Sequence, residues 1–140
     1  KKVRLTGKPY EPIQLAPGGD ETILLVDDDE SVRSVPRRLL ARQGYTVLEA
    51  EDGETGLAML RSKEREIDLV LLDLSMPGMS GGEVLEKLTV SLPRIRVVIL
   101  TGYPVRNHDF KNVSGVITKP FAQNALLAEI RKALKTPDVQ

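Results

Sequence analysis

Five polar side chains stand directly behind apolar runs in this 140-residue chain. Asp27 and Asp28 follow Ile23-Leu24-Leu25-Val26, Asp73 follows Leu69-Val70-Leu71-Leu72, Thr101 follows Val97-Val98-Ile99-Leu100, and Lys119 follows Ile117-Thr118. Taken alone, each has an ordinary use. Asp28 or Asp29 suits the N-cap of a helix, Thr101 suits a strand, and Lys119 suits a solvated surface. Asp73 by itself leaves three roles open: metal ligand, nucleophile or helix cap. Gathered at one place they do something else. Carboxylates within a few ångströms of one another repel unless a cation sits among them, and an all-oxygen cluster suits Mg²⁺, with Mn²⁺ as a substitute. A hydroxyl and an ammonium beside that ion are the donor and the charge that a phosphoryl group needs.

The elements that would gather them are legible in the pattern. Ile23–Val26, Tyr45–Glu49, Leu69–Leu72, Val97–Leu100 and Val113–Ile117 read as strands, and continuous aliphatic runs are those of a parallel sheet buried on both faces. Between them lie helical periods. After Asp29, Val32, Val35, Leu39 and Leu40 share a face, with Pro36 inside as an expected kink costing about 3 kcal/mol. Gly44 is placed to end that helix. Asp52-Gly53 opens a second helix carrying Leu57, Met59 and Leu60 to about Arg65. A third holds Val84, Leu85 and Leu88 and stops before Pro93. The last starts near Phe121 and buries Leu126, Leu127, Ile130 and Leu134. Such alternation predicts an α/β fold with helices on both sheet faces, and the polar strand ends then share the edge where ligands bind in such sheets. That convergence removes the cap reading for Asp73.

Composition narrows the classes further. Lys and Arg number 20 against 20 Asp and Glu, so there is no electrostatic footprint for direct nucleic-acid binding. No apolar run is long enough for a membrane helix and no signal-peptide pattern opens the chain, so a cytoplasmic domain is expected, within a parent that could be membrane-anchored. Without cysteine there are no disulfides or thiolate metal sites.

From about Thr22 to Leu134 the chain resembles the receiver domain of two-component response regulators. The resemblance lies in Leu25-Val26-Asp27-Asp28, Leu72-Asp73-Leu74-Ser75-Met76-Pro77-Gly78-Met79-Ser80-Gly81, Leu100-Thr101-Gly102 and Thr118-Lys119-Pro120-Phe121. It implies a flavodoxin-like (CheY-like) five-stranded parallel sheet of order 2-1-3-4-5. Residues 1–20, broken by Gly7, Pro9, Pro12 and Pro17 and ending in Gly18-Gly19, read as a linker, with a short edge strand as the alternative, ahead of a receiver over 21–136 and a tail over 137–140. Asp73 would accept a phosphoryl group from a phosphohistidine on a histidine kinase or histidine phosphotransfer domain. Asp28 and Asp73 would bind Mg²⁺ directly, Asp27 largely through water, and the Ser75 backbone carbonyl would add a ligand. Thr101 would hydrogen-bond the phosphoryl oxygen and Lys119 would pair with it, with Lys119-Pro120 cis. Gly102 would leave the site accessible. The domain would be a signalling module rather than an enzyme, showing self-catalysed transfer and slow autodephosphorylation. A fourth helix, the fifth strand and the last helix would carry the signal, with weak homodimerisation as an option.

Two departures stand out. Val116 occupies the position, three before the lysine, where the family carries a switch aromatic. Tyr103 to Phe110 has poor helical periodicity, so the fourth helix is expected to be short or irregular; His108 within it is read as a solvated residue, not a phosphodonor. Gly18-Gly19 ahead of Glu21-Thr22-Ile23, with Thr101-Gly102-Tyr103, is similar to the C-terminal receivers of hybrid sensor histidine kinases. A stand-alone or effector-linked receiver is the alternative. A haloacid-dehalogenase-like Mg²⁺ phosphatase is a remote one, because it needs a second aspartate where Ser75 stands.

Overall fold

The computed structural model describes residues 16–74, 81–102 and 113–135. Nine elements follow in order: β1 (Thr22–Val26), α1 (Glu30–Arg42), β2 (Thr46–Ala50), α2 (Gly53–Ser62), β3 (Leu69–Asp73), α3 (Gly81–Ser91), β4 (Arg96–Thr101), β5 (Gly115–Thr118) and α4 (Gln123–Lys135). The strands form one parallel sheet in the order β2-β1-β3-β4-β5. This is the architecture expected. The segments 75–80 and 103–112, which hold Ser75, His108 and the expected fourth helix, lie outside the described residues.

Because successive strand residues point to opposite faces, each apolar run feeds two cores. Leu24, Val26, Val70, Leu72, Val97 and Ile99 meet α2 and α3 through Leu57, Leu60, Val84, Leu85 and Leu88. Ile23, Leu25, Leu69, Leu71, Val98 and Leu100 meet α1 and α4 through Leu39, Leu40, Leu126, Leu127 and Ile130. Every residue of β3 is buried, Asp73 included. The middle strand therefore has its last side chain fixed by packing all along its length.

The first helix corrects the sequence reading. Its buried positions are Arg33, Pro36, Leu39 and Leu40, whereas Val32 and Val35 are 36% and 54% exposed. Pro36 sits within the helix interior, as expected from its position. The inward stripe starts one residue later than the valines imply, since Arg33 finds buried acceptors described below. Gly44 does end the helix: at φ 98° it carries a left-handed turn. The Gly44 N–H donates to the Ala41 carbonyl at 3.1 Å and the Tyr45 N–H to the Leu40 carbonyl at 3.2 Å, the two bonds of a Schellman motif. The second helix stops at Ser62, capped at Lys63, three residues before Arg65. The last begins at Gln123 and leaves Leu134 half-buried.

Residues 16–19 lie against the domain. The Ala16 N–H donates to Asn124 Oδ1, Gln43 Nε2 to the Ala16 carbonyl at 3.1 Å, and the Gly19 N–H to the Gln43 carbonyl at 3.2 Å. Gly18 passes so close to the Gln43 carbonyl that a side chain there would collide with it. Arg131 of α4 donates to the Gly18 carbonyl at 3.0 Å and to the Tyr45 hydroxyl at 3.3 Å, and pairs with Glu21 at 2.7 Å. The hydrogen bond from Arg131 is the main reason Glu21 is held below the usual carboxylate range. Burial pushes the Tyr45 hydroxyl up.

Candidate functional site

The polar residues at the strand ends come together at one edge of the sheet. Asp27 directly follows β1, and Asp73 closes β3 in register with Leu100. Thr101 closes β4, and Lys119 follows β5. Carboxylate oxygens of Asp27, Asp28 and Asp73 all lie within 4.8 Å of one another. Asp27 and Asp73 are buried and Asp28 is exposed, so the cluster opens to solvent on one side. Lys119 Nζ stands 3.7 Å from Asp27 Oδ2 and 3.8 Å from Asp73 Oδ1. Those distances are ion pairs rather than hydrogen bonds, and Asp27 Oδ2 is buried without a hydrogen-bond partner among the described residues. Thr101 is fully buried, and its carbonyl accepts the Lys119 N–H at 2.7 Å. That bond ties the residue after β5 to the end of β4, and the Lys119-Pro120 peptide is cis, as expected.

The capping role falls to the neighbouring acid. Asp29 is the N-cap of α1, accepting from the N–H groups of Ser31 and Val32. The Ser31 hydroxyl, at 2.7 Å, is the leading cause of its lowered pKa. With the cap supplied there, Asp27 and Asp28 are left for other work. Asp27 Oδ1 accepts the Asp29 N–H at 3.1 Å, which turns Asp27 toward the cluster. A buried carboxylate oxygen with no donor, beside two more carboxylates, is the environment a hard divalent cation completes with oxygen ligands. These residues fit Mg²⁺. Metal clusters of other composition are absent among the described residues.

Two features were not visible in the sequence. A hollow of about 600 Å³ opens beside Lys119, lined chiefly by Val32, Val35, Pro36, Leu100, Gly102 and Phe121. A side chain at Gly102 would meet nothing within 4 Å among the described residues. The exposed valines that the helical period assigned to the core line this hollow instead. The second feature is the buried Arg33, whose signal was only its place, four residues after the N-cap on a helix otherwise amphipathic. Val116, where an aromatic was the family expectation, is half-buried and packs against the core on the α2 and α3 side.

Comparison with known proteins fits this geometry. The model of the response regulator receiver domain family matches residues 23–131. Sporulation initiation phosphotransferase F of Bacillus subtilis is 37% identical over 118 residues, covering 83% of this chain and 92% of that protein. The sensor kinase CckA of Brucella abortus is 33% identical over 124 residues, covering 86% of this chain but only 13% of the kinase. The crystal structure of response regulator TrrA from Thermotoga maritima, in complex with Mg²⁺–BeF, superposes with a TM-score of 0.74 at 30% identity. It covers 81% of this chain and 98% of that one. Among the described residues no helix is long and apolar enough to cross a membrane.

Proposed function

The chain belongs to the response regulator receiver family of two-component signalling, and from that premise we propose that Asp73 is its phosphoacceptor. The observation that carries this reading is the cluster itself: three carboxylates within 4.8 Å, with a buried Asp27 oxygen lacking any donor, and Lys119 offsetting part of their charge. An Asp73 oxygen attacks the phosphorus of a phosphohistidine. The O–P bond forms as the P–N bond breaks, and the departing imidazole nitrogen keeps the electron pair and is protonated. Thr101 donates to one phosphoryl oxygen, and Lys119 pairs with another. Asp28 and Asp73 would hold Mg²⁺ directly, with Asp27 acting through water and the Ser75 carbonyl, which lies outside the described residues, as a further ligand. When bound, the ion neutralises charge on the transferring group and orients it. Burial of Asp73 at the end of a fully buried strand supplies the positioning on which phosphoryl transfer chiefly depends. The donor, a histidine kinase or phosphotransfer domain, enters over the open hollow beside Lys119, where the exposed Val32 and Val35 give it apolar surface.

The modification adds about −1.5 to −2 charges at Asp73. That charge draws on Thr101 and Lys119, which the 2.7 Å bond between their backbones already links, and favours an alternative arrangement of the segments after β4 and β5. The face of β5 and α4 carries the change to a partner, with Val116 in place of a ring. In the whole protein we place the domain in the cytoplasmic part of a hybrid sensor histidine kinase, supported by the match within CckA. A free-standing receiver is the second reading, favoured by the near-complete coverage of phosphotransferase F. An ATP-binding kinase core in the same polypeptide decides between them.

Intact mass after incubation with acetyl phosphate and Mg²⁺ tests the central claim. One phosphoryl adduct is expected, lost in Asp73→Asn and lost when the metal is chelated. An unmodified wild type that nevertheless binds Mg²⁺ would overturn the phosphoacceptor role.

A further inference from the structure

Arg33 is charged and yet only 8% exposed. Its Nη1 donates to the backbone carbonyl of Asp27 at 2.6 Å, and its Nε donates to Glu49 Oε1 at 3.0 Å. Glu49, on β2, also accepts from Arg37 Nη1 at 3.1 and 3.3 Å. Burial opposes the charge of Glu49, but the hydrogen bonds from Arg33 and Arg37 outweigh it and hold the carboxyl below its ordinary range. The anchor is therefore an ionised acid.

Asp27 is held on its other sides as well. Its N–H donates to the Ala50 carbonyl at 3.1 Å, and Oδ1 accepts from the Asp29 N–H at 3.1 Å. The remaining freedom is rotation of the peptide that joins Asp27 to Asp28. That peptide is a rigid plane, so a grip on the Asp27 oxygen also fixes the Asp28 nitrogen and Cα, the point from which the Asp28 side chain departs. We propose that Arg33 is a positioning residue for the acidic cluster: anchored by Glu49, it sets the Asp27–Asp28 peptide plane so that both carboxylates face Asp73. The inference rests on the reading of these acids as a Mg²⁺ site.

Arg33 as a mere counter-charge predicts the opposite result. Removing a cation near three carboxylates leaves the cluster more negative and tightens its hold on Mg²⁺. Removing a grip on the ligand-bearing backbone loosens it. The sign of the change separates the two roles.

The experiment is calorimetric titration of Mg²⁺ into the full chain, for wild type, Arg33→Gln, Arg33→Lys and Glu49→Gln. Urea unfolding in chelator establishes that each is folded. Arg33→Gln is expected to weaken Mg²⁺ by about 10- to 100-fold, the range for residues that orient metal ligands. Glu49→Gln weakens it less, and Arg33→Lys, which keeps a donor in reach, recovers part of the loss. Acetyl phosphate labelling of Arg33→Gln needs more Mg²⁺ for half its maximum, but at saturating Mg²⁺ its rate returns to within about twofold of wild type. An Arg33→Gln protein that binds Mg²⁺ as tightly as wild type, or more tightly, overturns the proposal. Should that variant be unfolded, a folded Glu49→Gln with wild-type affinity overturns it equally. A wild type that binds no Mg²⁺ instead sinks the underlying metal reading, and is distinguished by its own titration.

Discussion

Replacing Asp27 by asparagine removes one charge from the cluster while keeping the shape of the side chain, and so isolates what the three acids cost in the metal-free fold. At an effective dielectric near 20, two like charges 4.8 Å apart repel by about 3.5 kcal/mol, so Asp28 and Asp73 together work against Asp27 by roughly 7 kcal/mol. Lys119 at 3.7 Å returns about 4.5 kcal/mol on the same scale. Arg33, bonded to the Asp27 carbonyl, returns a further part, so the difference favours asparagine by at most about 2.5 kcal/mol. Its oxygen still accepts the Asp29 N–H, and its amide supplies donors where Oδ2 had none. Asp27→Asn is therefore expected to stabilise the chelated protein. With a urea m-value of about 1.5 kcal/mol/M, the midpoint rises by at most roughly 1.7 M. Mg²⁺ at ten times its dissociation constant adds about 1.4 kcal/mol to the wild type and much less to the variant. The assay is urea unfolding of both proteins with and without the metal. A chelated variant whose midpoint falls at or below that of wild type refutes the reasoning: attraction to Lys119 and local hydrogen bonds would then outweigh repulsion, and the cluster would not be strained toward a cation.

Gly44→Ala places a side chain at φ 98°, where its Cβ would also meet the Gly19 carbonyl; a loss of at least 1–2 kcal/mol is expected, read as a fall in thermal midpoint. Glu21 has its pKa lowered from 4.5, chiefly by Arg131, so its contribution to stability is complete above that ordinary value and is lost as pH falls through the lowered one. Glu21→Gln is expected to destabilise at neutral pH and to shed less stability than wild type on acidification, a difference measurable by urea unfolding at a series of pH values.

The parts legible in the sequence were those in which one strand says everything locally. An aliphatic run ending in Asp73 or Thr101 announces both a buried strand and a polar tip, and parallel order carries the tips to one edge. The first helix shows where that logic stops. Its valines at positions 32 and 35 fit a helical period, but orientation was decided by Arg33, whose acceptors lie just after β1 and in β2. A buried arginine is stabilised by partners distant in sequence, so no local pattern announces it. The same is true of Ala16 and Gly18: their partners, Asn124 and Arg131, are more than a hundred residues away. Between Asp28 and Asp29, spacing alone left the cap ambiguous; only the backbone of α1 assigns it to Asp29.

The grip of α4 on residues 16–18 has a geometric consequence. Asn124 and Arg131 are seven residues apart, about 10 Å along the helix axis, and each holds the incoming chain at a different residue. A single tether would make a pivot, around which the preceding polypeptide could swing. Two tethers along one rigid rod define a heading, so residues 16–18 run on a set bearing relative to α4.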